Sequence, residues 1–366
     1  MLGSAQWGCP DTDTPVFQGF PQHSTRIVAA GELPLQPDTT NSWVGGVLAP
    51  NGRVYMVPNS HTSVLIYDPR TGRVDLSSLS GLGEQPYKWS GGVVAANGRI
   101  YCPPDQAGTV LVIDPERNTT HQLPVPTQGR WAGAVLGVDG LIYGIPQQGD
   151  PQGTPAFEAS VLVIDPHTET VSTIRAGLVA ADDSWFGGVL AADGRIYAIP
   201  RKAPSILVID TTTSPAKISS LARPAGSGEW SGGVLVPNGV VYGIPRTATG
   251  VLRIAPSGDR TQPAAVSSVG TLASGTKWNG GVLAANGRIY GIPFASNDVL
   301  VIDPGTEQIS TFPAGTTGSV PKWWGGVLTP GGEVIGVPFR QDGILAIRTG
   351  LPQLPGWMLA PQFNKF

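Results

Sequence analysis

The side chains that most often do chemistry are sparse in this sequence. It holds four histidines, His23, His61, His121 and His167, and two cysteines, Cys9 and Cys102, and none of these recurs at a fixed interval. A metal centre needs three or four such ligands converging, and no His or Cys cluster is present; nor is there a strand-turn-helix nucleophile motif. The two cysteines read as ordinary thiols, and neither a cofactor nor a metal is expected. What does recur is tryptophan, at Trp43, Trp89, Trp131, Trp185, Trp230, Trp278 and Trp323. An indole offers a flat apolar face and one N–H donor, suited to stacking on a sugar, a base, an aromatic ligand or a partner's side chain. A Trp repeated in every unit is equally suited to wedging neighbouring units apart. Sequence leaves both roles open.

The tryptophans head one phrase that occurs seven times, in the form SWFGGVLAADGRIYAIP from Ser184 or KWNGGVLAANGRIYGIP from Lys277. Their separations of 46, 42, 54, 45, 48 and 45 residues match the length of a four-stranded propeller blade. Within a unit, GGVLA is followed in most copies by Asn-Gly or Asp-Gly, the strongest short hairpin signal, and then by an alternating run such as RIYGIP. These are strands A and B. A variable loop leads to VLVID, a Pro-x-Thr turn and a weaker run such as ISTFP, which are strands C and D. Glycine (50) and proline (35) therefore mark turns rather than low complexity. The predicted fold is all-β: a seven-bladed β-propeller of four-stranded antiparallel blades. The seventh unit lacks a D strand, and the run from Ser24 to Gly31 resembles the one before Trp323, so the N-terminal segment is expected to supply the outer strand of the last blade and cover its edge. Residues 1–23 then form an N-terminal extension, 24–349 the propeller, and 350–366 a tail, apolar enough to be expected to dock on it.

Four units pair an Arg after the A–B turn with an Asp ending strand C, always 15 residues on: Arg53 and Asp68, Arg99 and Asp114, Arg195 and Asp210, Arg288 and Asp303. In the fifth unit both positions are apolar (Val240, Ala255), and in the seventh the signs are exchanged (Glu333, Arg348). Substitution in pairs predicts direct cross-strand contact, which makes these residues register marks rather than an acid-base system.

The A–B and C–D turns are short and nearly constant, whereas the B–C loops and D-to-A crossings at the other end vary in length. The third B–C loop swells to Gln147–Ser160. Function concentrates on variable loops, so that end is the predicted working face. The tryptophans fall at its inner edge. Around them stand residues that differ between blades, chiefly Arg201, Arg246, Phe294 and Phe339 in the B–C loops and Lys322 before the last Trp. The seven tryptophans and these five residues are the candidate ligand-binding set.

The runs NGRIY at 286–290, VLVIDPGT at 299–306 and ISTFP at 309–313 resemble the blades of kelch repeats and of the seven-bladed streptogramin B lyase type. Kelch blades end strand B with a glycine pair; here the pair follows the Trp in strand A, and strand B ends in Ile-Pro or Val-Pro. The lyase resemblance implies His and acidic residues with a divalent metal on the loop face, and His61 is the only histidine placed there.

Charged residues make up 13% of the chain and the net charge is −3, too little positive charge for a nucleic-acid partner or an anionic membrane surface. No apolar run reaches the roughly 20 residues of a membrane span, and the first residues lack the pattern of a signal peptide. The expectation is a soluble monomer in an undetermined compartment: a non-catalytic binding propeller recognising a small molecule, glycan, peptide or protein. Alternatives are a lyase or hydrolase at the same channel mouth and a structural interaction module.

Overall fold

The computed structural model describes residues 23–29, 42–149, 152, 157–180, 182–226 and 228–350. Residues 1–22, the C-terminal tail from 351 and residues 150, 151 and 153–156 of the third B–C loop lie outside them, as does Cys9. Seven antiparallel sheets of four strands stand in a ring, each ordered A to D from the axis outwards. In blade 4, for example, they are Trp185–Leu190, Arg195–Pro200, Ser205–Asp210 and Lys217–Ala222. Among the described residues no helix is long and apolar enough to cross a membrane.

The glycine pair of strand A has two distinct physical reasons. Its first member adopts a left-handed φ, +76° at Gly45 and +70° at Gly187, and sits in a bulge that shifts the A–B register between Trp and the second glycine. The second member faces the preceding blade. A Cβ on Gly281 would lie 2.6 Å from Ile244 Cδ1, and one on Gly326 would lie 2.7 Å from Ile292 Cδ1. These glycines therefore let adjacent blades approach closely.

Seven apolar clusters lie one between each pair of neighbouring blades, each holding one of the repeated tryptophans, and an eighth groups Val44, Phe294 and Phe339 at the channel mouth. Charges at the opposite end set register and stitch the ring. All five expected pairs form, with N···O distances of 3.7 Å (Arg53–Asp68), 3.2 Å (Arg99–Asp114), 3.4 Å (Arg195–Asp210), 3.5 Å (Arg288–Asp303) and 3.3 Å (Arg348–Glu333). The A–B turn asparagine adds a link between blades: Asn97 Nδ2 donates to Tyr101 Oη in its own blade and to the Pro166 carbonyl of the next, both at 2.9 Å.

The ring closes as the sequence predicts. Ser24–Ala29 pairs antiparallel with Gly343–Arg348, Val28 enters the core between blades 7 and 1, and Arg26 reaches Glu333 at 2.8 Å. His23, just ahead of this strand, stacks on Phe312 at 5.2 Å and hydrogen-bonds Tyr290 Oη through Nδ1 at 3.0 Å. Burial, reinforced by the charge of Arg288, lowers its pKa from 6.5. The unfolded chain therefore takes up this proton more readily, and the stability that neutral His23 contributes declines as pH falls below about 6.5. A urea midpoint that drops between about pH 7 and pH 5, with a shallower drop in His23→Phe, is the expected result; parallel curves would assign the loss to other groups.

Candidate functional site

Trp anchors each unit at the start of strand A, opposite the proline that ends strand B, as in Trp185 against Pro200. From that anchor, two positions define the mouth of the central channel on the loop face. The residue after each Trp lies one step deeper, and the residue sixteen after it follows the strand B proline. Around the ring the deeper position reads Val44, Ser90, Ala132, Phe186, Ser231, Asn279 and Trp324. The upper one reads Asn59, Asp105, Gln147, Arg201, Arg246, Phe294 and Phe339. The sheet frame repeats while these two positions vary, and most of them line one cavity of about 400 Å³.

The cavity has two unlike walls. Blades 4, 6 and 7 contribute aromatic rings in mutual contact: Trp324 lies 4.7 Å from Phe339, 5.2 Å from Phe294 and 5.2 Å from Phe186. Phe186 and Trp324 come from blades on opposite sides of the ring and meet across the axis. Phe186, Phe294 and Phe339 are buried, whereas Trp324 remains partly exposed. Blades 1 to 3 contribute polar groups. Asn59 Nδ2 donates to the Trp89 carbonyl at 2.9 Å, Arg130 Nε donates to Asp105 at 2.6 Å, and Gln147 Nε2 donates to Asp183 at 2.7 Å.

Two guanidiniums join the walls. Arg201, 7% exposed, packs 5.2 Å from the Phe186 ring and 5.9 Å from Trp324, with Asp183 at 3.3 Å and Glu229 at 3.6 Å. Arg246 packs 5.4 Å from Phe294 and bonds Glu229 at 2.8 Å. Burial, followed by the charge of Arg246, lowers the Arg201 pKa. Burial pushes the Asp105 carboxyl up against the opposing pull of Arg130, while for Asp183 the desolvation is outweighed by Arg201 and the Gln147 hydrogen bond, which hold it down. Paired in this way, the buried charges are tolerated.

Of the sequence-predicted set, Arg201, Phe294 and Phe339 line the cavity, and Arg246 supports it. The seven repeated tryptophans do not. All are at most 3% exposed, and each indole N–H is spent on a carbonyl at the start of strand C, from 2.6 Å (Trp131 to Ser160) to 3.0 Å (Trp43 to Ser63). Their geometry is that of the wedge. Lys322 is likewise turned away. It is fully buried, and its ammonium donates to the Ala295, Ser296 and Gly318 carbonyls, with burial lowering its pKa. Lys277 follows the same pattern on Ala248 and Gly275, and burial takes the Lys88 pKa down to about 8 while its ammonium donates to Gln85. His61 is also committed, stacked on Trp43 at 4.4 Å and accepting from the Ser63 N–H.

Outside the sequence-predicted set, Asn59, Asp105 and Gln147 also line the cavity, as do Phe186 and Trp324 at the position after Trp. For these last two the signal was present in the variability of the residue between Trp and the glycine pair. Among the described residues no group of three or more His, Cys, Asp or Glu is placed to hold a metal ion.

No protein-family model and no curated protein matches the chain. Solved structures do match in shape. Virginiamycin B lyase from Staphylococcus aureus superposes with a TM-score of 0.70 at 12% identity, over 89% of this chain and 99% of that one. Kuenenia stuttgartiensis hydrazine synthase gives 0.62 at 16% identity, over 86% of this chain and 99% of that one. The extracellular domain of a one component system from B. thetaiotaomicron gives 0.62 at 12%, over 90% of this chain and 40% of that one. At such identities the likeness carries the seven-bladed fold alone.

Proposed function

We propose that the protein is a non-catalytic binding propeller whose ligand, drawn from glycans, peptides or proteins, enters the channel mouth on the loop face. The observation that carries this reading is the contrast between frame and mouth. Packing explains why a repeated unit keeps Trp, the first strand A glycine and the strand B proline; it gives no reason for the position sixteen after Trp to run from amide through guanidinium to phenyl around one ring. The cavity of about 400 Å³ falls within the about 300–1,000 Å³ of small-molecule sites, and sets an aromatic wall against a polar one. The mouth carboxylates are each engaged by a guanidinium or amide, which suits holding a ligand better than moving protons.

Probing glycan and peptide arrays with the full chain tests the reading. Arg246→Ala and Phe339→Ala are expected to weaken any specific signal by about tenfold or more while the folded content is retained. A signal unchanged in both variants would exclude the mouth as the binding site.

A further inference from the structure

The chemistry of the mouth narrows the ligand class, an inference that rests on the binding role proposed above. Three observations converge. First, the charges are already balanced within the protein: Arg130 has Asp105 at 2.6 Å, Arg201 has Asp183 at 3.3 Å and Arg246 has Glu229 at 2.8 Å. A ligand with net charge would unbalance a desolvated site, whereas a neutral one leaves the pairs intact.

Second, polar atoms of both kinds are buried at the mouth without a hydrogen-bond partner. Asn59 Oδ1 and Gln147 Oε1 are acceptors and Arg246 Nε is a donor, while Arg201 Nε faces Glu229 at 3.6 Å. Asn59 and Gln147 have their amide nitrogens occupied, which fixes the free atom as the oxygen. These four residues stand at equivalent positions around one rim. A hydroxyl group both donates and accepts, so a polyhydroxylated molecule can answer donors and acceptors alike, which a carboxylate or an ammonium cannot do.

Third, the partly exposed ring of Trp324, backed by Phe339 and Phe294, offers an apolar platform beside the Arg201–Asp183 pair. A ring with an apolar C–H face and a polar rim fits that juxtaposition. We infer that the mouth takes a neutral carbohydrate, with one pyranose ring laid on Trp324 and its hydroxyls directed to the rim of amides, guanidiniums and carboxylates. The cavity of about 400 Å³ holds a sugar of about one or two rings.

The test is calorimetry and saturation-transfer NMR on the full chain, with methyl glucoside, galactoside, mannoside and N-acetylglucosaminide and their neutral disaccharides as probes at about 10 mM, a range that reveals millimolar affinities. Glucuronate and phenyl phosphate are the charged comparators, and glycyl-phenylalanine is the zwitterionic peptide comparator. Saturable binding of at least one neutral sugar is expected, weakened about tenfold or more in Trp324→Ala and partly restored in Trp324→Phe. Binding of a charged comparator through Trp324, with every neutral sugar inert, would overturn the carbohydrate assignment and leave the mouth as the site. If no neutral sugar binds and an array ligand is held equally well by Trp324→Ala, the assignment and the mouth fall together.

Discussion

Trp230→Ala is expected to lower stability by about 3–5 kcal/mol, enough to threaten folding at physiological temperature. The indole is fully buried in the cluster between blades 4 and 5, against Val189, Tyr197, Ile199 and Leu252. Its N–H donates to the Gly250 carbonyl at 2.8 Å, and the Arg223 guanidinium lies 5.0 Å from its ring. Alanine removes the packing and also strands that carbonyl. Trp230→Phe keeps most of the packing and loses only the hydrogen bond, so its cost should fall to about 1–3 kcal/mol. The informative comparison is Trp324→Ala, in which a partly exposed indole at the mouth is removed. Its urea midpoint should move far less than that of Trp230→Ala. Equal midpoint losses in the two variants would contradict the division between wedge and site residues.

Loss of the closing strand is the second large effect. Deleting residues 1–29, against a control lacking only residues 1–22, removes the partner of Gly343–Arg348 and uncovers Ile344 and Ala346, which share a core cluster with Val28. Blade 7 then presents an unpaired edge, and such edges recruit other strands. The expected outcome is a loss of several kcal/mol, beyond the 0.5–3 typical of point substitutions, together with dimers or larger species in light scattering. A synthetic peptide of residues 20–32 added in trans should restore the monomer by strand addition. A truncated chain that stays monomeric with an unchanged midpoint would show that the ring does not depend on this latch.

The blade count, the hairpins and the closing strand were legible because each rests on local chemistry repeated seven times. Asn-Gly turns, β-branched runs and Asp-Pro caps act over a few residues, and repetition averages out their ambiguity. The ion pairs were legible for a further reason: Val240 with Ala255, and Glu333 with Arg348, change together within one chain. The mouth was only half legible. Arg201, Phe294 and Phe339 declared themselves by breaking the repeat just past strand B. Phe186 and Trp324 did not, because the glycine bulge at Gly187 and Gly325 interrupts the two-residue alternation by which the sides of a strand are assigned. The orientation of the repeated tryptophans was illegible for another reason. An indole that wedges and an indole that stacks on a ligand have the same composition and spacing, and only the carbonyl 20 residues along, 29 in blade 3 with its longer loop, distinguishes them.

The meeting of Phe186 and Trp324 across the axis also bears on kinetics. A propeller open along its length would let a small molecule arrive at one end and depart from the other, decoupling capture from escape. The two rings, 5.2 Å apart between centroids, narrow the bore at that level, which favours arrival and departure along one path from the loop face. Whatever rim residue slows release must then slow capture as well, unless it also deepens the well. Affinity at the proposed site would therefore have to come from contacts on Trp324 and its neighbours, since a gate above them lengthens residence only by slowing capture to the same degree.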